Sequence, residues 1–178
     1  MVMTSVIDLH AGPAAGFDEP FEMLDACHQR VERMLVLIER LAAHLPTHGA
    51  DAQAQQAARD VMRYFDLAAP HHHVDEERHV LPLLREQGHA ALADRIAQEH
   101  QAMATAWARM RALLAAIEQG RGPDDHDDMA AEGCAFAALY REHIALEETQ
   151  AFPLARAGVA GDALRAMGNE MARRRGAR

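Results

Sequence analysis

Apolar residues recur along most of the chain at alternating intervals of four and three. The first series is Leu24, His28, Val31, Leu35, Ile38, Ala42, Leu45, an apolar seam interrupted once, by His28. Such spacing turns one face of a helix towards a core. Asp18 suits an N-cap, Glu19 and Pro20 suit a first turn, and the run Pro-Thr-His-Gly from Pro46 ends the segment. A second helical segment extends from about Asp51 to Gln87, with Gly88 as its stop. Pro70 lies inside it and predicts a kink or a break, because the ring clashes with the preceding turn. A third seam runs Ala93, Ile96, His100, Met103, Trp107, Met110, Leu114, Ile117 and is closed by Gly120 and Gly122. The fourth starts near Pro123 and passes through Phe136, Tyr140, His143 and Glu147 to Leu154. A shorter helix is expected from Asp162 to Arg174, ahead of a basic end. Residues 1–17 show no periodicity and read as an irregular lead-in.

No apolar/polar alternation of useful length appears, so the chain is expected to be all-α. Four long helices with short connections predict an up-down-up-down four-helix bundle over residues 18–157. Residues 158–178 form a short extra C-terminal helix with a basic tail.

Composition supports this reading. Of 178 residues, 49% are hydrophobic and only 4% aromatic, a balance that favours helix over sheet. The formal net charge of −9 disfavours nucleic-acid and anionic-membrane partners. No opening signal segment and no apolar run of membrane-span length is present, so the expectation is a soluble, cytoplasmic protein. Cys27 and Cys134 fit neither a disulfide framework nor a thiolate metal site. The acids after Pro123 suit a helix N-terminus and lack the glycine and terminal glutamate of a calcium loop.

The candidate chemistry lies in a duplicated pattern. The stretch HHVDEERHVLPLLR from His72 aligns with HIALEETQAFPLAR from His143 at a constant offset of 71, matching His72, Glu76, Glu77, Pro82, Leu83 and Arg85 with His143, Glu147, Glu148, Pro153, Leu154 and Arg156. His28-Gln29 matches His100-Gln101 at an offset of 72. Each half therefore carries a lone seam histidine followed by His-x-x-x-Glu. The repeat also sorts the neighbours: His73 and Glu77 share the four-residue spacing, but position 144 opposite His73 is Ile144. The paired register selects His72 with Glu76 and His143 with Glu147.

Residues four apart share a helix face, so each His-x-x-x-Glu presents an imidazole and a carboxylate to the bundle interior at adjacent levels. His28 and His100 enter from the other two helices. Two interior carboxylates would be costly to keep charged without compensation. A pair of cations bridged by both carboxylates removes that cost and leaves room for solvent or a small ligand. Glu99 and Glu142, each one residue before a candidate histidine, and His79 and Tyr140 on seam positions, are candidates to stand behind the six donors.

The set His28, His72-Glu76, His100, His143-Glu147 resembles the hemerythrin-like family, also called the HHE cation-binding domain, over about residues 20–157. The resemblance implies a helix bundle holding two non-haem iron ions joined by an oxo or hydroxo group. The six residues would be the ligands, and Glu76 and Glu147 the bridges. Oxygen-carrying members place two histidines in His-x-x-x-His spacing on the third helix. Here His100 is followed four residues later by Ala104 and preceded four earlier by Ile96. The four-histidine, two-glutamate set is more similar to that of bacterial di-iron proteins linked to nitric oxide handling and iron–sulfur cluster repair.

The expected function is binding, reduction or sensing of a small molecule, namely dioxygen, nitric oxide or peroxide, with an electron-transfer partner where reduction is involved. A regulatory or iron-handling protein without turnover is the alternative, suggested by the extra C-terminal helix. Zinc and manganese suit the same donors. A ferritin-like oxidase would need a second Glu-x-x-His, and Glu147 is followed at that spacing by Gln150.

Overall fold

The computed structural model describes residues 16–122 and 126–177. All regular structure among these is helical: α1 (Pro20–His48), α2 (Ala52–Asp75), α3 (Leu81–Glu86), α4 (Ala90–Glu118), α5 (His126–Leu146), α6 (Phe152–Ala157) and α7 (Gly161–Arg174). Two π turns, Glu76–Val80 and Glu147–Ala151, join α2 to α3 and α5 to α6 without a break. Residues 1–15 of the lead-in and residues 123–125, the start of the acidic run, lie outside the described residues; α5 is described from His126.

The helix starts follow from local chemistry. Asp51 caps α2 by accepting a 2.9 Å hydrogen bond from the Ala54 amide. Pro20 occupies the first turn of α1, where its missing N–H costs nothing, and Glu19 rather than Asp18 is the capping residue. Glycines with positive φ follow four of the helices, Gly49 (64°), Gly88 (86°), Gly120 (74°) and Gly176 (66°).

Helix α1 ends inside the expected run Pro46–Gly49, at His48 with Gly49 as its cap. The structure corrects the expectation at Pro70: no break occurs there, and α2 is continuous through it. The discontinuity lies further on, in the π turns. There the amides of Leu81 and Phe152 reach back five residues, to the carbonyls of Glu76 and Glu147. Two residues after the end of each wide turn comes a proline, Pro82 or Pro153, which has no amide to continue regular bonding.

The long helices form a helical bundle in which α1 packs against α2 and α5, while α4 packs against the same two from the opposite side. Two apolar clusters fill its interior. The first is built from Val31 to Leu45 of α1, Ala54 to Ala69 of α2, Met103 to Ile117 of α4 and Met129 to Tyr140 of α5. The second gathers Phe21, Leu24, Val80, Leu84, Ile96, Leu146 and Phe152. Every long helix thus has a gap between its two apolar stretches, and the gaps fall at residues 28, 72–76, 100 and 143–147. Helix α7 closes the second cluster with Met167 and Met171. Gly168 lets it approach the chain entering α1: a Cβ there would collide with the carbonyl oxygen of Phe17.

Candidate metal centre

The gap between the clusters is polar. His28, His72, Glu76, His100, His143 and Glu147 are all buried, none more than 4% exposed. The structure therefore brings together all six residues that the repeat singles out.

Their arrangement divides each carboxylate between two sides. Glu76 Oε1 lies 3.0 Å from His72 Nε2 and 4.0 Å from His28 Nε2. Its other oxygen, Oε2, is 3.4 Å from His100 Nε2. Glu147 is divided the same way: Oε2 is 3.1 Å from His28 Nε2, while Oε1 is 3.1 Å from His143 Nε2 and 3.9 Å from His100 Nε2. One oxygen of each carboxylate faces His28 and His72, and the other faces His100 and His143.

Three histidines are oriented from behind by carboxylates. Nδ1 of His28 pairs with Glu148 Oε1 at 3.0 Å, Nδ1 of His100 with Glu77 Oε1 at 3.1 Å, and Nδ1 of His143 with Glu99 Oε2 at 2.8 Å. A carboxylate at Nδ1 fixes the tautomer that leaves the Nε2 lone pair pointing inward. Glu77 and Glu148 hold matching places in the repeat, and each reaches across to the other half of the chain. Their role went unread in the sequence because both lie on half-exposed helix flanks; the repeat itself carried the signal. The place corresponding to Glu99 in the first half is Cys27, 72 residues earlier. Accordingly, His72 Nδ1 has no hydrogen-bond partner among the described residues.

Of the other candidates, Glu99 stands behind His143 as expected. Glu142 is exposed and has no hydrogen-bond partner within the cluster. Tyr140 is buried beside it, its ring 6.3 Å from that of His73. His79 does not approach the cluster; it pairs with Glu170 of α7 at 2.7 Å. The expectation for His79 assumed an unbroken α-helix, in which seven residues return to the same face. The π turn beginning at Glu76 adds roughly one residue to the turn, about 100° of rotation, and carries His79 away.

The sequence set His73 aside, yet the structure draws it in. Its ring stacks on His100 at 4.2 Å with planes 10° apart. Among the described residues, three sets of side chains bring donor atoms within 4.8 Å of one another: His73, Glu76, His100 and His143; His28, His72, Glu76 and Glu147; and, nearer the surface, Asp25, His28 and Glu148. Glu76 belongs to the first two.

The electrostatics show what a metal-free interior must do. Burial alone would lower the pKa of His28, but Glu147, Glu76 and Glu148 outweigh it and raise the imidazole to about 9. His100 is raised to about 10 by Glu147 and Glu76 against the same burial. Burial, with Glu147 nearby, lifts Glu76 to about 7. Glu147 is held well below the carboxylate range because His100, His143 and His28 overcome its burial. Burial pushes His72 well down and His73 to about 3, so both rings are neutral at physiological pH. Even so, both oxygens of Glu76 and Nε2 of His100 and His143 remain buried without a hydrogen-bond partner among the described residues. Orphaned acceptors and inward-facing imidazoles fit divalent cations, which satisfy all of them together.

Two shallow cavities approach the cluster. One, of about 320 Å³, is lined by His73, His100, Ala104, Trp107 and Tyr140 between α2 and α4. The other, of about 280 Å³, reaches His28 between α1 and α5 past Glu32, Arg141 and Glu148.

The profile of the hemerythrin HHE cation-binding domain matches residues 19–155. The chain is also similar to an uncharacterized protein of Haemophilus influenzae, 32% identical over 166 residues, which covers 90% of this chain and 92% of the relative. No helix among the described residues is long and apolar enough to cross a membrane. With the profile spanning well over half of its length and a buried His/Glu cluster able to hold metal, the chain belongs to the hemerythrin HHE cation-binding family.

Proposed function

We propose that the chain holds two non-haem iron ions joined by an oxo or hydroxo group and uses them to bind, reduce or sense dioxygen, nitric oxide or peroxide. The observation that carries this reading is the division of Glu76 and Glu147, each with one oxygen towards His28 and His72 and the other towards His100 and His143. In this reading the four imidazoles supply Nε2 donors and the two carboxylates bridge. When bound, the iron pair supplies exchangeable coordination positions and reversible electron transfer.

The remaining work falls to the chain's own groups. Glu148, Glu77 and Glu99 hold the three Nδ1 positions so that the opposite nitrogens face inward. Phe152 stacks on His28 at 5.3 Å and 11°, limiting water on that side. The cavity beside His73 and Trp107 offers a small apolar-walled approach for a diatomic molecule or peroxide.

The test is anaerobic loading with ferrous iron, then metal analysis and an optical spectrum after exposure to dioxygen, nitric oxide and peroxide in turn. The expected result is about two irons per chain with oxo-bridge absorption and a spectral response to at least one of the three. A chain that takes up no iron pair, or an iron pair inert to all three molecules, overturns the reading. Preferential retention of zinc or manganese would reassign the metal.

One feature favours a regulatory or iron-handling role as the second reading. Asp75, the residue before Glu76, is fully buried and paired with Arg174 and Arg175 at the end of α7. Iron loading that changes the protease resistance of α7 without turnover of any small molecule would support that role over the first.

A further inference from the structure

We propose that the groove between α1 and α2, lined by Arg30, Arg33 and Met34 on one side and by Arg63, Tyr64 and Leu67 on the other, binds a small amphipathic anion: a carboxylate or phosphate group carried on a flat apolar body. The groove shares no lining residue with the buried cluster, so the proposal stands apart from the two-metal reading.

Charge is the first reason. The arginines elsewhere on the helix surfaces mostly have carboxylates: Arg85 pairs with Asp94, Arg109 with Glu132, Arg111 with Asp66, and Arg141 with Glu32 and Glu39. Arg30 and Arg33 meet no carboxylate among the described residues, and Arg30 reaches only the Cys27 sulfur, at 3.9 Å. Arg63, on the opposite rim, pairs with Asp60 at 3.0 Å. In a chain of net charge −9, two guanidiniums without counter-charges beside a third make a local field of opposite sign. A guanidinium presents its N–H groups as a planar fork that matches two oxygens of a carboxylate or phosphate.

The space between the arginines is apolar. Met34 is buried at its base, and Tyr64 is fixed there by donating its hydroxyl to the Cys27 carbonyl at 3.3 Å. Leu67 stands at the lip, 62% exposed, as no other large hydrophobic side chain among the described residues does. The cavity measures about 360 Å³, inside the range of roughly 300–1,000 Å³ usual for small-molecule pockets.

The duplication supplies an internal comparison. At offsets of 72 between α1 and α4 and 71 between α2 and α5, core positions keep their character: Ile38 corresponds to Met110 and Phe65 to Phe136. The groove positions do not. Arg30 and Arg33 correspond to Ala102 and Thr105, while Arg63, Tyr64 and Leu67 correspond to Cys134, Ala135 and Ala138. The second helix pair packs without the arginines, the tyrosine or the leucine, so bundle packing does not account for them in the first. A second copy of the chain is a poor occupant, because a two-fold axis through the groove would set its arginines against their own counterparts.

The test is calorimetric titration of the full chain, with whatever metal it retains, against 2-naphthoate, 2-naphthyl phosphate, neutral 2-naphthamide and inorganic phosphate. Saturable binding of at least one naphthyl anion is expected, about tenfold or more tighter than that of the amide or of inorganic phosphate. Preference for carboxylate or for phosphate supports the proposal either way and identifies the head group. Arg30→Gln and Arg33→Gln should each weaken the naphthyl anion about tenfold. Arg59→Gln, an exposed α2 arginine outside the groove, should leave it unchanged. Circular dichroism checks the fold, and if Arg30→Gln loses helicity, Arg33→Gln decides. The proposal is overturned if neither naphthyl anion binds saturably, if the amide binds as well as the anions, or if Arg33→Gln behaves like Arg59→Gln. A dimer in sedimentation that Leu67→Ser abolishes also overturns it and gives the groove to a second copy.

Discussion

At the scale of single residues, the behaviour of the centre follows from what lies behind each imidazole. Glu77, Glu99 and Glu148 touch no inward nitrogen, yet each fixes the ring that does. Replacing any one with glutamine should weaken metal binding about ten- to a hundredfold, read by competition with a chelator, without loss of helicity. Protons compete for the same nitrogens. In the metal-free chain His28 and His100 titrate at about 9 and about 10, above the ordinary 6.5. Their contribution to metal-free stability is therefore complete below pH 6.5 and is lost as pH rises through the raised values. Metal needs the neutral rings, so its binding strengthens over the same interval. Calorimetry at pH 7 in buffers of different ionisation enthalpy should show at least about two protons released per metal pair, from His28 and His100, with a further share from Glu76. The six clustered residues were legible in the sequence because two copies of one pattern agree. The stacking of His73 on His100 was not, for the same reason: a rule that demands a partner in both halves discards a residue aligned with Ile144.

At the scale of elements, the π turns and α7 decide what the periodicity could not. A seam read at regular helical spacing placed His79 beside the cluster. The wide turn at Glu76 instead gives it to Glu170, leaving Val80, Leu81 and Leu84 buried. The signal for that turn, a proline six residues after each glutamate, was present in the sequence but equally compatible with a simple helix end. Helix α7 itself was legible almost to the residue, although its purpose was not. Its terminal arginines compensate the fully buried Asp75. Replacing Arg174 or Arg175 alone with alanine leaves one counter-charge in place. Replacing both leaves a buried carboxylate unpaired, at a cost of about 3–5 kcal/mol. Urea unfolding of the two single variants and the double variant should show a loss in the double well above the sum of the singles.

At the scale of the whole molecule, the donors come from α1, α2, α4, α5 and the two π turns, so metal binding is tied to the packing of all four long helices. Removing metal should lower the unfolding midpoint of the entire chain as one transition. At a free metal concentration a hundred times the dissociation constant, the linked stabilisation is about 2.7 kcal/mol. Scanning calorimetry with and without chelator measures it, and a chelator-insensitive midpoint would contradict the coupling. The overall architecture was the most legible level, since the four-three seams and glycine stops agree with the helices found. The division of the interior into two apolar clusters with a polar storey between them was less plain, because the first and third seams mark it only by one histidine each, His28 and His100, among apolar residues.

The crossed supports behind His28 and His100 have a consequence for how such a molecule can be taken apart. Glu148 belongs to the second hairpin and serves the first, while Glu77 does the reverse. Neither hairpin owns a complete set of fittings. A chain nicked in the connection near Gly122 would yield two fragments that need each other to hold a cation, and the ion would be the clasp that reunites them.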